Sequence, residues 1–160
     1  MIQCTNYEIT TKEFFKILNN QVDSKKHPNI TKAIDKLKSN IYNDSNENIR
    51  LDSKHIYTCF EETSNGVIQL IETDNIFQGL QVVANNLFLE NNIENLLQHI
   101  LIHFILNPSI DLTKISKSME LIYEAAHEDA SVCFCISYDD PKNSNQIEID
   151  SFLFYKTKEL

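Results

Sequence analysis

Glycine is nearly missing from this chain. Only Gly66 and Gly79 occur among its 160 residues, and neither opens a G-x-G-x-x-G or Walker-type run. A loop that cradles phosphate needs glycines for positive φ and for close backbone approach, so this scarcity argues against nucleotide binding of that kind. Basic charge is also short. The chain has 14 Lys and Arg against 23 Asp and Glu, a net charge of −9, which argues against nonspecific binding to a nucleic-acid backbone. No apolar run is long enough to span a bilayer. The opening MIQCTNYEIT lacks the basic n-region and apolar h-region of a signal peptide. The expected location is the cytoplasm. Cysteine is limited to Cys4, Cys59, Cys133 and Cys135, without the second close pair that a zinc site would use. A reducing compartment disfavours disulfides. Cys133 and Cys135, two apart on an expected strand, point to the same face and read as small buried or half-buried hydrophobes.

What is present suffices for one domain with a real core. The charge is uneven. Residues 1–50 hold eight Lys/Arg and six Asp/Glu, and residues 51–160 hold six and seventeen. The second part reads as a solvated acidic surface.

The organising unit is 93–136. Leu96 to Leu106 (LLQHILIHFIL) is an almost unbroken apolar run, the pattern of a strand buried on both faces. Asn107-Pro108-Ser109 stops it. A helix over about 112–127 follows, with Leu112, Ile115, Met119, Ile122 and Ala126 on one face. Ser131 to Tyr138 (SVCFCISY) is a second core strand. Before this unit, Met1 to Ile9 is a short strand or a loose terminus. Thr10-x-x-Glu13 fits a capping box opening a helix over about 11–21. A second helix runs over about 30–42, and 49–60 is a loop leading into a short helix. Gly66 to Glu72 reads as a strand and 75–88 as a helix. Gln146 to Tyr155, with Ile147, Ile149, Phe152 and Phe154 apolar, closes as a strand expected to pair antiparallel with 131–138 as a hairpin.

Several residue sets carry side chains capable of chemistry. His99 and His103 suit a metal pair on a helix, but on a strand they stand about 13 Å apart, so they read as edge or interface histidines. Glu128-Asp129 and Asp139-Asp140 read as turn and cap residues. No Ser-His-Asp or Cys-His arrangement can be placed. Phe152, Phe154 and Tyr155 read as core.

From about 49 to 155 the joints carry a further signal. In order they read IRLDSKHIYTCF, NGVIQLIETD, GLQVVANNLFLENNIENL, HILIHF, PSIDLTKI, MELIYEAAHEDASVCFCISYDD and IEIDSFLFYK. This series resembles the C-terminal domain of the tubulin/FtsZ superfamily, closest to the bacterial division protein FtsZ, and 119–138 is its most specific stretch. The resemblance implies an α/β fold: a mixed sheet of about four strands with helices packed on it. It divides the chain into an N-terminal helical extension (1–48), whose second helix matches the family's interdomain helix, and an FtsZ C-terminal-like domain (49–160).

The departures shape the functional expectation. The family binds GTP through a separate Gly-rich domain, and the residues before 30 are too few for one, so GTP binding by that route is not expected. The family's catalytic loop, N-x-D-x-x-D, places carboxylates near the attacking water. Laid on it, this chain offers Arg50, Asp52 and His55, with Lys54 beside them, a degenerate and non-catalytic loop. The implied function is an FtsZ-like interaction module that contacts or modulates a division filament or related partner, with Arg50, Asp52, Lys54 and His55 as the partner-binding set. The partner is a protein, FtsZ or an FtsZ-like GTPase, with no nucleic acid, cofactor or metal. The alternative is a homo-oligomeric small-molecule-binding or enzymatic α/β module unrelated to division.

Overall fold

The computed structural model describes residues 2–20, 28–42, 49–90, 95–126, 128–139 and 146–157. Ten elements follow one another: β1 (Gln3–Thr10), α1 (Thr11–Leu18), α2 (Pro28–Tyr42), α3 (Ser53–Phe60), β2 (Asn65–Thr73), α4 (Ile76–Glu90), β3 (Asn95–Leu106), α5 (Leu112–Ala125), β4 (Ser131–Tyr138) and β5 (Ile147–Thr157). The strands form one mixed sheet of order β1-β2-β5-β3-β4. Only β3 and β4 run parallel, joined through α5; the other neighbours are antiparallel.

The sheet has helices on both faces. On one, α4 and α5 cover Ile71, Ile100, Ile102, Phe104, Ile136 and Ile149. On the other, α1, α2 and α3 cover Ile68, Leu101, Cys135, Phe152 and Phe154. The two-faced burial of β3 is what its unbroken apolar run demands. The segment expected as a helical extension contributes a strand as well as two helices. β1 pairs with β2 along its whole length and brings the sheet to five strands. Ile9, Phe14 and Leu37 share one core with Phe60 and Phe154. The Thr10–Glu13 capping box forms as expected, and it turns the chain directly from β1 into α1.

The expected hairpin of 131–138 with 147–157 does not form. β5 lies between β2 and β3, and β4 lies beyond β3 at the end of the sheet. The physical reason is burial on both faces of β5. Ile147, Ile149 and Leu153 fill one core, while Phe152 and Phe154 fill the other. A strand apolar on both sides belongs in the sheet interior. β4, mostly half-buried, takes the edge.

Candidate functional site

The joint between α2 and α3 holds the sequence-predicted set, and its residues first do structural work. Asn40, on the last turns of α2, is 1 % exposed. Its Nδ2 donates to Ile49 O (3.3 Å), Ile136 O (3.1 Å) and Ser137 Oγ (2.9 Å), while its Oδ1 accepts from Leu51 N (3.0 Å). One amide thus ties helix, joint and edge strand together. The backbones of Ile49 and Ile136 also exchange hydrogen bonds of 3.0 and 2.9 Å, which gives the outer edge of β4 a partner. Arg50 turns back onto α2. Its Nη2 donates to Ile41 O (2.7 Å) and its Nε to Asn40 O (3.4 Å). A guanidinium on helix-terminal carbonyls satisfies orphan acceptors and complements the helix dipole. Asp52 is the N-cap of α3, its Oδ1 accepting from Lys54 N at 3.0 Å. Arg50, Asp52 and Lys54 are all exposed. The His55 side chain lies outside the described residues.

Aromatic and apolar surface gathers around this joint. Of the six exposed large hydrophobics among the described residues, Tyr42, Ile49 and Tyr57 belong to it. Tyr57 stacks on Phe15 with ring centroids 5.0 Å apart and donates to Asn19 Oδ1 at 2.7 Å. Phe14 and Phe15, which point in different directions on α1, therefore meet different surroundings. Phe14 is fully buried against Phe60, Phe152 and Phe154, and Phe15 is half-buried under Tyr57.

Beneath α2 lies a polar row that the sequence reading did not assemble. Asp150 of β5 stands opposite His103 of β3, and His103 opposite Cys135 of β4. Both histidines of β3, expected at an edge or interface, are fully buried, because β3 has neighbours on both sides and helices on both faces. The His103 Nε2 and Ser137 Oγ are 2.7 Å apart. Ser137 Oγ also accepts from Asn40, so it links the imidazole to α2. Burial, and then Lys36, lowers the His103 pKa to about 3, so the ring is neutral. Burial raises Cys135 well above the usual thiol range, with Cys133 and Asp150 adding to it. A thiol so placed is not a nucleophile. Cys133 is half-buried with its Sγ 3.8 Å from His99 Nε2, and His99 meets the Phe60 ring edge-on. Ser137, His103 and Asp150 are the residue types of a hydrolytic triad. Among the described residues the Asp150 Oδ2 and His103 Nδ1 both lack hydrogen-bond partners, so the aspartate does not orient the imidazole as that chemistry requires.

Asp150 instead faces a cleft between α2 and the β1-β2-β5 side of the sheet, about 250 Å³ in volume. Lys32 and Lys36 line it from the helix, and Glu72, Glu148 and Asp150 from the strands. Lys36 Nζ pairs with Glu148 Oε2 at 2.6 Å. Asp150 is 3 % exposed. Burial, then Glu148, raises its pKa to about 7; Lys36 lowers it and Glu72 adds to the rise. The alternation of polar residues in otherwise apolar strands, His103 in β3 and Asp150 in β5, was the available signal for this row. Its meaning depended on strand order, which pattern alone did not supply.

No known family description and no curated protein matches the sequence. Solved structures do resemble it in fold. An FtsZ dimer from M. jannaschii without ligand superposes with a TM-score of 0.59 at 15% identity, over 91% of this chain and 48% of that one. The W319Y mutant of M. jannaschii FtsZ gives 0.59 at 13% identity, over 86% and 44%. The chain thus spans about half the length of the FtsZ chains it matches. Its fold is FtsZ-like, that of the C-terminal domain, on a mixed α/β sheet.

Proposed function

We propose that this chain is an FtsZ-like interaction module, contacting or modulating a division filament or a related protein partner without turning over GTP itself. The observation that carries the reading is the FtsZ-like fold over nine-tenths of the chain, 91% in one comparison. The surface around the α2–α3 joint supports it. Tyr42, Ile49 and Tyr57 are exposed beside Arg50, Asp52 and Lys54. Aromatic residues and arginine are the types enriched where proteins meet. Arg50 and Asp52 are engaged as helix caps, so in this reading they shape the contact surface and polarise no water.

The test is pelleting of FtsZ from the same organism, assembled with GTP, in the presence of this protein. The expected result is co-pelleting, weakened at least about tenfold by Lys54→Glu, an exposed charge reversal. Absence from the pellet at molar excess contradicts the reading. Co-pelleting that Lys54→Glu leaves unchanged moves the contact away from the joint.

A further inference from the structure

Among the described residues, the cleft under α2 is lined by a buried carboxyl, Asp150, whose Oδ2 has no hydrogen-bond partner. We propose that it binds a small zwitterion of the α-amino-acid type, its ammonium on Asp150 and its carboxylate on Lys32 and Lys36.

The two walls of the cleft carry opposite charge. Lys32 and Lys36 stand one turn apart on α2, so both ammonium groups approach from the helix side. Glu72, Glu148 and Asp150 approach from β2 and β5. Lys36 is already matched by Glu148 at 2.6 Å, and Glu72 accepts from Gln146 Nε2 at 3.3 Å. Among the described residues, two charged groups of the cleft remain without a matched partner. Lys32 is exposed at the rim, and Asp150 is buried with its Oδ2 lacking any hydrogen bond. A buried acceptor left this way is unfavourable, and a ligand donor that reaches it relieves that cost. A lone cation at Asp150 would also face the Lys36 ammonium, and a lone anion at Lys32 would face three carboxylates. A molecule with both charges a few ångströms apart satisfies both walls. The volume of about 250 Å³ limits it to a small one.

Binding is coupled to a proton. Asp150 is faced by Lys36 from α2, Glu148 on its own strand, Glu72 from β2 and His103 from β3. An ammonium ligand favours the ionised carboxyl, so affinity rises as pH passes upward through about 7.

The experiment is calorimetric titration of the full chain with L-serine, ethanolamine and glycolate near pH 8. L-serine is expected to bind at least about tenfold more tightly than either half-molecule. Asp150→Asn, a neutral isostere, should weaken L-serine at least about tenfold and abolish its pH dependence. Lys32→Gln, an exposed change, should weaken L-serine while leaving ethanolamine unaffected. No heat with L-serine at about 10 mM overturns the proposal. So does ethanolamine binding as tightly as L-serine, or an Asp150→Asn variant that is folded by circular dichroism and binds as well as the parent. The proposal rests on the cleft alone, so its failure leaves the filament reading standing, and the pelleting result does not bear on it.

Discussion

Asn40 is the residue on which the joint depends. Its amide serves Leu51 N, Ile49 O, Ile136 O and Ser137 Oγ at once. Asn40→Ala leaves the buried Leu51 N–H without its acceptor, removes the second hydrogen bond to the Ile49 and Ile136 carbonyls, and should cost about 2–3 kcal/mol. Urea unfolding should show a lower midpoint with an unchanged m-value. A change below about 0.5 kcal/mol would mean that the network is not what holds the joint. The buried pair Asp150 and His103 gives a prediction in pH. The folded state keeps the Asp150 proton up to about pH 7, whereas an unfolded carboxyl loses it near about 4. This group's contribution is fully present below about pH 4 and is lost as pH rises toward 7. His103 works in the opposite sense. Its folded pKa is about 3, so its contribution is present above about pH 6.5 and is lost as pH falls. Between about pH 4 and 6.5 the two slopes oppose each other, each at most about 1.4 kcal/mol per pH unit. The parent should show little net slope from this pair. In Asp150→Asn, stability should rise with pH across that window; in His103→Gln it should fall. Urea melts at three pH values check this, and parallel curves for the parent and both variants would contradict it. Little of this was legible in sequence. Histidine or aspartate in an apolar strand marks an unusual position, but which residues face each other follows from register across three strands.

At the scale of elements, local signals carried most of the information. The Thr10-x-x-Glu13 box, the apolar periodicity of α2 and α5 and the unbroken run of β3 each fixed their own segment through short-range physics. Pairing was harder, since it depends on partners far along the chain. The clue to β5 was present in its own residues. Its apolar positions change parity between Ile149 and Phe152, the mark of a strand buried on both faces and not of a hairpin arm. Gly66 of β2 shows how tightly the β5 face is packed. A Cβ there would lie 2.5 Å from Phe154 Cδ1. The Phe154 ring is fully buried and held between Phe14 (5.1 Å) and Phe60 (4.7 Å), so it has nowhere to retreat. Gly66→Ala should therefore destabilise the protein by about 1–3 kcal/mol through overpacking. An unchanged thermal midpoint would show that the aromatic cluster is looser than its geometry indicates.

For the whole molecule, the sheet separates two kinds of surface. The α4–α5 face closes an apolar core, while the α1–α2–α3 face carries the exposed joint, the buried polar row and the charged cleft. The resemblance read from the joints pointed to the fold that the structural comparisons show, at an overall identity of only 15%. Function was less legible. The joint residues Arg50 and Asp52 prove to be helix caps, so their residue types alone did not distinguish a contact surface from a local structural need. The interaction reading now turns on whether this chain alters a filament. The most direct measurement is the polymer mass and GTP turnover of the same organism's FtsZ, titrated with this protein from substoichiometric amounts to molar excess. A dose-dependent change in polymer mass with a matching change in turnover is expected, and no turnover by this protein alone. Unchanged mass and turnover at molar excess would contradict it.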